Sequence, residues 1–418
     1  MSSLSQLAES LIGSEIVKLG NEISRRVQQG EKIYNYTIGD FDPDIFPIPS
    51  QLEEQIIECY KQKYTNYPPA DGLLELRSAV ATFIEKHEGL HYHPNEVLIA
   101  SGGRPLIYAL FKTIVDKNDK VIYAVPSWNN NHYTAMNHGV HCAIDAFPEN
   151  NFMPTIADIA PHIPGAVLLC LCTPQNPTGT TMSKETLESI CDLIIEENKK
   201  RSPGAKKLYL MFDQMYSLLT YGDIRHHNPV SLRPEMKEYT IFVDGISKSF
   251  AATGVRVGWA LGPVLVLSKM RALLSHIGAW APMAEQKATA QFLLQNDEIE
   301  QYHSHFKKEL WERLLSIYDG ITTLKSKGYA VDCIAPQAAI YLTIKLDLVG
   351  KLADGHVLKD QRQVTEYILN KAKLAIVPFY AFGAAHGSPW YRLSVGTCNK
   401  SEIPEILELL ENALDDLL

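Results

Sequence analysis

Five apolar segments of this 418-residue chain each run straight into a short polar or glycine-containing cluster. Residues 97–100 precede Ser101-Gly102-Gly103-Arg104, residues 121–125 precede Pro126-Ser127-Trp128, and residues 167–172 precede Thr173-Pro174-Gln175-Asn176-Pro177-Thr178-Gly179. Residues 208–212 lead to Asp213-Gln214-Met215-Tyr216, and residues 239–243 lead to Asp244-Gly245-Ile246-Ser247-Lys248. Short apolar runs of this kind read as buried strands, with a sixth at 257–261, and helical patterns such as 74–86 and 184–199 fall between several of them. Alternating strands and helices build an α/β fold, here a large domain with a mainly parallel sheet flanked by helices. Ligands of such sheets sit beyond the carboxyl ends of the strands, so the five clusters are expected to meet at one site.

The pattern changes toward the carboxyl end. Helical periodicity at 288–295 and 302–318 gives way to strand-like runs at 340–346 and 374–378 and a closing helix at 403–417, which together predict a smaller α+β domain. The large domain is expected over residues 48–295.

Charge and cysteine usage exclude several classes. The 48 acidic and 39 basic residues are interspersed, giving a net charge of -9 with no basic stripe, so neither nucleic acid nor a membrane surface is an expected partner. No uninterrupted apolar stretch reaches the roughly 18 residues of a membrane span, and residues 1–6 lack a secretion signal, which predicts a cytoplasmic protein. Seven scattered cysteines argue for reduced thiols rather than a disulfide framework. Cys170-Leu171-Cys172 lies within an apolar strand and has no second Cys/His pair at zinc spacing, so no metal is expected.

The strand-end residues carry chemistry in combination. Lys248 sits between an apolar strand and Ser249-Phe250-Ala251-Ala252, and an amine in apolar surroundings gives up its proton readily, as Schiff-base formation requires. Asp213, ending an apolar strand, needs a positive partner such as a protonated pyridine nitrogen; seen alone, it serves equally well as a helix N-cap. Gly102-Gly103 before a helix at 105–112 makes an anion site from free N–H groups, which a phosphate fits. An amine, an anion for a pyridinium, donors for a ring hydroxylate and a phosphate cup are what pyridoxal 5'-phosphate demands.

At these residues the chain resembles the class I/II pyridoxal-phosphate-dependent aminotransferases of fold type I, the aspartate aminotransferase-like family, from Gly39 to Gly396. Ser247-Lys248 followed by Thr253-Gly254-Val255-Arg256-Val257-Gly258-Trp259 is similar to the family's lysine signature. Asn176-Pro177-Thr178-Gly179, the pair Asp213 and Tyr216, and Arg392 in Tyr391-Arg392-Leu393-Ser394-Val395-Gly396 resemble its other motifs. The resemblance implies that Lys248 carries the cofactor as a Schiff base and shuttles the substrate proton. It implies that Asp213 holds the pyridine nitrogen, that Asn176 and Tyr216 bond the ring hydroxylate, and that Trp128 stacks on the ring. The phosphate would be held by Arg256, Gly103, Arg104 and Tyr67, the last reaching in from a partner subunit of a homodimer. Arg392, helped by Gly39 and Asn176, would grip the α-carboxylate of the amino acid and 2-oxo acid substrates. Residues 1–47 are expected to return onto residues 296–418 to complete the small domain.

Blander roles stand beside these: Trp128 as core, Tyr67 as a turn stiffener, Arg392 as a surface ion pair. Three positions depart from the family's common pattern. Gly245 stands where many relatives have a phosphate-binding serine, leaving Ser247 or Asp244 as substitutes. Asn129-Asn130-Asn131 replaces the more usual proline after the tryptophan. Arg104 stands at the place of a lysine that reads a distal carboxylate, which suits an acidic partner such as aspartate, glutamate or 2-oxoglutarate; a phosphate-rim or intersubunit ion-pair role is the alternative. The same scaffold also supports a carbon-sulfur β-lyase or a related eliminating enzyme. A ligand-sensing regulator is disfavoured, because no helix-turn-helix fits before Gly39.

Overall fold

The protein, seen in a computed structural model, is described over residues 4–11, 13 and 15–417. Seven strands form the main sheet: β1 (Val97–Ala100), β2 (Lys120–Val125), β3 (Val140–Asp145), β4 (Ala166–Cys172), β5 (Tyr209–Asp213), β6 (Thr240–Gly245) and β7 (Gly258–Leu261). Their order across the sheet is β1-β7-β6-β5-β4-β2-β3. Neighbours pair in parallel except for β7, which runs antiparallel to both β1 and β6. Apolar side chains fill both faces, as continuous hydrophobic strands demand: Ile99, Leu169 and Phe212 belong to one core, Leu98, Leu168 and Met211 to the other.

Helices cover both faces and one end. The principal ones are α1 (Glu15–Gln28), α2 (Leu74–Glu88), α3 (Gly103–Ile114), α4 (Lys184–Lys200), α5 (Ile246–Ser249), α6 (Asn296–Ser326) and α7 (Ile403–Asp415). The Ser183 hydroxyl accepts from Thr186 N–H to start α4, and Gly89 in the left-handed conformation (φ 68°) ends α2. The 31-residue α6 leaves the main sheet and enters a second core, where Gly320 lets α7 lie close. A Cβ on Gly320 would stand 2.3 Å from Leu407 Cδ1.

That second core surrounds a four-stranded antiparallel sheet of β8 (Val331–Cys333), β9 (Tyr341–Leu346), β10 (Val377–Pro378) and β11 (Trp390–Ser394), in the order β10-β11-β9-β8. Residues 374–378, which read as one strand, are two. Leu374–Ala375 pairs in parallel with Tyr34–Asn35, and Val377–Pro378 crosses to β11, where an edge tolerates a proline that donates no N–H. Tyr34, Tyr36, Phe41 and Phe46 pack with Phe306, Leu310 and Leu393 in the same core. The early segment thereby passes over the carboxyl edge of the main sheet and delivers Thr37, Gly39 and Asp40 to it.

Candidate active site

A cavity of about 580 Å³ opens where the main sheet, the early segment and β11 meet. It lies beyond the carboxyl ends of β1, β2, β4, β5 and β6 and the amino end of antiparallel β7. Lys248, Asp213, Tyr216, Asn176, Trp128, Gly103, Arg104, Arg256, Arg392 and Gly39 all line it. Tyr67 does not: it is 82% exposed, with its ring 5.3 Å from that of Trp280 in a separate hollow.

Lys248 projects from the single turn α5, and its Nζ donates to Gly39 O at 2.5 Å. Burial brings its amine down to about 8, opposed by Asp40 and assisted by Arg392, Arg104 and Arg256. Such an amine is neutral often enough near physiological pH to add to an aldehyde. Asp213 ends β5 half-buried on the cavity wall, and desolvation pushes its carboxyl up to about 6. One oxygen accepts from Met215 N–H at 3.2 Å, and no cation pairs with it among the described residues.

The anion end is made of backbone. Helix α3 begins at Gly103, and the first N–H groups of a helix find no carbonyl within it. Gly102 takes φ 89°, a conformation that L side chains rarely adopt, and a Cβ there would also press on the Arg256 guanidinium, 2.4 Å from Nη2. Arg256 takes the left-handed region (φ 62°), and its guanidinium donates two 2.7 Å bonds, to Thr253 O and Ser101 O. Those bonds hold the guanidinium at the cavity wall and offset a backbone strain of order 1 kcal/mol. The glycine at 245 has a packing cause, because a Cβ would meet Gly258 Cα and Val257 O at 2.8 Å. Of the two proposed substitutes for the missing serine, Asp244 turns away to accept from Gly245 N–H and Gln214, while Ser247 lines the cavity.

At the other end Arg392 is 1% exposed. Its Nη1 donates to Asn176 Oδ1 at 3.0 Å and its Nη2 to Thr37 O at 2.5 Å. Its Nε has no partner among the described residues, and its guanidinium lies 4.7 Å from the Tyr341 ring and 4.9 Å from that of Phe382. A surface ion pair is thereby excluded as its role. Arg104 is exposed at the cavity edge, 5.2 Å over Trp128, with no carboxylate partner among the described residues. The asparagine run has a backbone use: Asn129 takes the left-handed conformation (φ 58°) and Asn130 opens a short helix, donating to Ser127 Oγ at 3.4 Å.

Sequence reasoning missed Tyr341 and Asp40. Tyr341 Oη lies 2.6 Å from Tyr216 Oη, and Asp40 Oδ1 accepts from Thr253 Oγ1 at 2.6 Å. The signal for Tyr341 was the alternation in β9, where Tyr341 and Thr343 put two hydroxyls on one face of an apolar strand. Asp40 stands beside Gly39 in a segment without regular structure, and no pattern marked it.

Comparison with known proteins decides the family. The family model described as aminotransferase class I and II matches residues 31–410. This chain belongs to the class I and II aminotransferases. It is 28% identical to an aspartate aminotransferase of Geobacillus stearothermophilus over 90% of this chain and 89% of the relative. It is 27% identical to a probable aspartate/prephenate aminotransferase of Rickettsia prowazekii over 91% of each. Among solved structures, the Thermus thermophilus aspartate aminotransferase with maleate superposes with a TM-score of 0.87 at 26% identity, covering 99% of this chain and all of that one. A Rhizobium meliloti aspartate aminotransferase reaches 0.89 at 24% identity over the full length of both, and shares the fold. The protein is thus a pyridoxal-phosphate-dependent transaminase of fold type I.

The residues present fit that cofactor. A desolvated amine suits its aldehyde and a buried carboxylate lacking a cation suits its ring nitrogen, while the glycine-lined helix start beside Arg256 suits its phosphate. No helix among the described residues is long and apolar enough to cross a membrane.

Proposed function

We propose that this aminotransferase exchanges the amino group of an acidic L-amino acid with a 2-oxo acid, with Lys248 as the cofactor-bearing residue. The observation that carries the reading is the meeting of three groups on one cavity: the water-shielded Lys248 amine, the Asp213 carboxylate without a cation, and the buried Arg392 with a free Nε.

Pyridoxal phosphate, when bound, supplies an electron sink for the electrons that substrate Cα keeps as its proton leaves. Asp213 would hold the ring nitrogen protonated, and Tyr216 and Asn176 would donate to the ring oxygen. Arg256, Ser247 and the N–H groups of Gly103 and Arg104 would take the phosphate, and Trp128 would cover the ring. Arg392 binds the α-carboxylate as a two-pronged donor, assisted by Asn176 and the Gly39 backbone. Lys248 Nζ would bind the cofactor and, once free, hold and move the substrate's Cα proton; an amine brought down to about 8 is matched to that work.

The acidic preference rests on Arg104. Its guanidinium faces the cavity without a carboxylate partner among the described residues, and the Thermus relative was solved with maleate, a dicarboxylate. Tyr67, exposed and outside its own cavity, is assigned to the phosphate of a partner subunit in a homodimer. The large domain is taken as residues 48–295 and the small one as 1–47 with 296–418; the enzyme is assigned to the cytoplasm.

The test is a half-reaction. Aspartate added without any oxo acid should convert the bound pyridoxal form to the pyridoxamine form with one equivalent of oxaloacetate, and 2-oxoglutarate should reverse it. Continuous release of pyruvate from cysteine without an oxo acid would instead support a lyase.

A further inference from the structure

Tyr341 opens β9 at 1% exposure and touches both ends of the cavity. Its Oη lies 2.6 Å from Tyr216 Oη, and the Arg392 guanidinium sits 4.7 Å from its ring centre. Two glycines hold it in place. A Cβ on Gly179, in the turn that carries Asn176, would stand 2.2 Å from Tyr341 O, and one on Gly39 would stand 2.7 Å from its Oη.

Each phenol has one proton to give. On the reading above, Tyr216 spends its proton on the cofactor's ring oxygen, an acceptor. The 2.6 Å contact is then satisfied only by Tyr341 donating to Tyr216 Oη. Two O–H groups in series polarise one another, so Tyr341 makes Tyr216 a stronger donor. A cation over the Tyr341 ring strengthens the first link in turn, and a carboxylate arriving on Arg392 weakens it.

We propose that Tyr341 is a positioning residue that relays to Tyr216 whether the Arg392 cation carries a carboxylate, and so sets how tightly the cofactor-linked nitrogen of Lys248 holds its proton; this rests on Lys248 being the cofactor-bearing residue. The sign follows from charge. Strong donation draws negative charge off the ring oxygen and loosens the proton on that nitrogen, so loss of the Tyr341 hydroxyl tightens it. The charged groups facing Lys248 are Asp40, Arg104, Arg256 and Arg392, and the phenol pair is faced by Asp40 and Arg392 together with the Cys172 thiol, which burial keeps neutral. A Tyr341→Phe change leaves all of them in place.

The experiment is a pH titration of the holoenzyme's visible absorbance in wild type, Tyr341→Phe, Tyr216→Phe and the double variant, each with and without maleate. Tyr341→Phe should raise the titration midpoint by about half a pH unit or more, and maleate should move it less than in wild type. The double variant should match Tyr216→Phe alone, and kcat should fall several-fold while KM for aspartate stays within about twofold, because the ring under Arg392 remains. An unchanged midpoint in a fully loaded Tyr341→Phe enzyme would overturn the relay, as would an equal shift in the Tyr216→Phe background. A wild-type protein with no Lys248-linked band would instead overturn the reading beneath it.

Discussion

Arg392 and Asn176, 216 positions apart, share a 3.0 Å hydrogen bond inside the cavity, the guanidinium donating to the amide oxygen. The bond joins β11 of the small sheet to the turn after β4 of the large one, so this end of the cavity exists only when both sheets are in register. It also orients the amide: with Oδ1 committed to Arg392, the Asn176 NH₂ is left to donate.

Arg392→Ala should therefore lower kcat/KM for every α-amino acid by about 100-fold or more, the value of a two-pronged charge-assisted contact. Arg392→Lys should recover only part of this, since a point charge cannot reproduce the planar fork. Steady-state kinetics on aspartate and alanine check it; a loss confined to one substrate would contradict the assignment.

Arg104→Met should behave differently. The guanidinium lies over Trp128 but has no carboxylate partner among the described residues, so its removal should cost aspartate about 10- to 100-fold in kcat/KM and leave alanine within about threefold. Equal losses would move Arg104 to the phosphate or to a subunit contact.

Much of this was legible in the sequence because buried parallel strands are written as apolar runs and their carboxyl ends as abrupt changes of composition. The strand β3 was not, since its residues are mostly exposed at the sheet edge and carry no apolar run. The small sheet was legible only in part, because its strands pair across long separations and residues 374–378 switch partners midway. The chemistry of Lys248 and Asp213 followed from an amine and an acid at apolar strand ends. The carboxylate end followed only from resemblance, because Arg392 lies in β11 and Thr37 arrives from a segment more than 350 positions away. Nothing in the local sequence of Tyr341 announces the phenol opposite it.

A Gly179→Ala change should lower stability without touching a catalytic group. The residue sits at φ 70°, and a Cβ would be driven to 2.2 Å from Tyr341 O. A loss of about 2 kcal/mol or more is expected, read as a lower denaturation midpoint. Wild-type stability would show that the turn relaxes freely.

Cofactor capture should follow the Lys248 amine. Only the neutral amine adds to an aldehyde, and burial lowers this amine from 10.5 to about 8, so the neutral fraction grows as pH rises through that region. The rate at which cofactor-free protein takes up pyridoxal phosphate should rise with a midpoint near pH 8. A rise centred near the ordinary lysine value of 10.5 would show an unperturbed amine.

The most direct measurement is borohydride reduction of the holoenzyme followed by peptide mass mapping. The account predicts one pyridoxyl group, fixed on the peptide containing Lys248 and absent from Lys248→Ala, which should fold but be inactive. A pyridoxyl group on another lysine, or none on any, would contradict it.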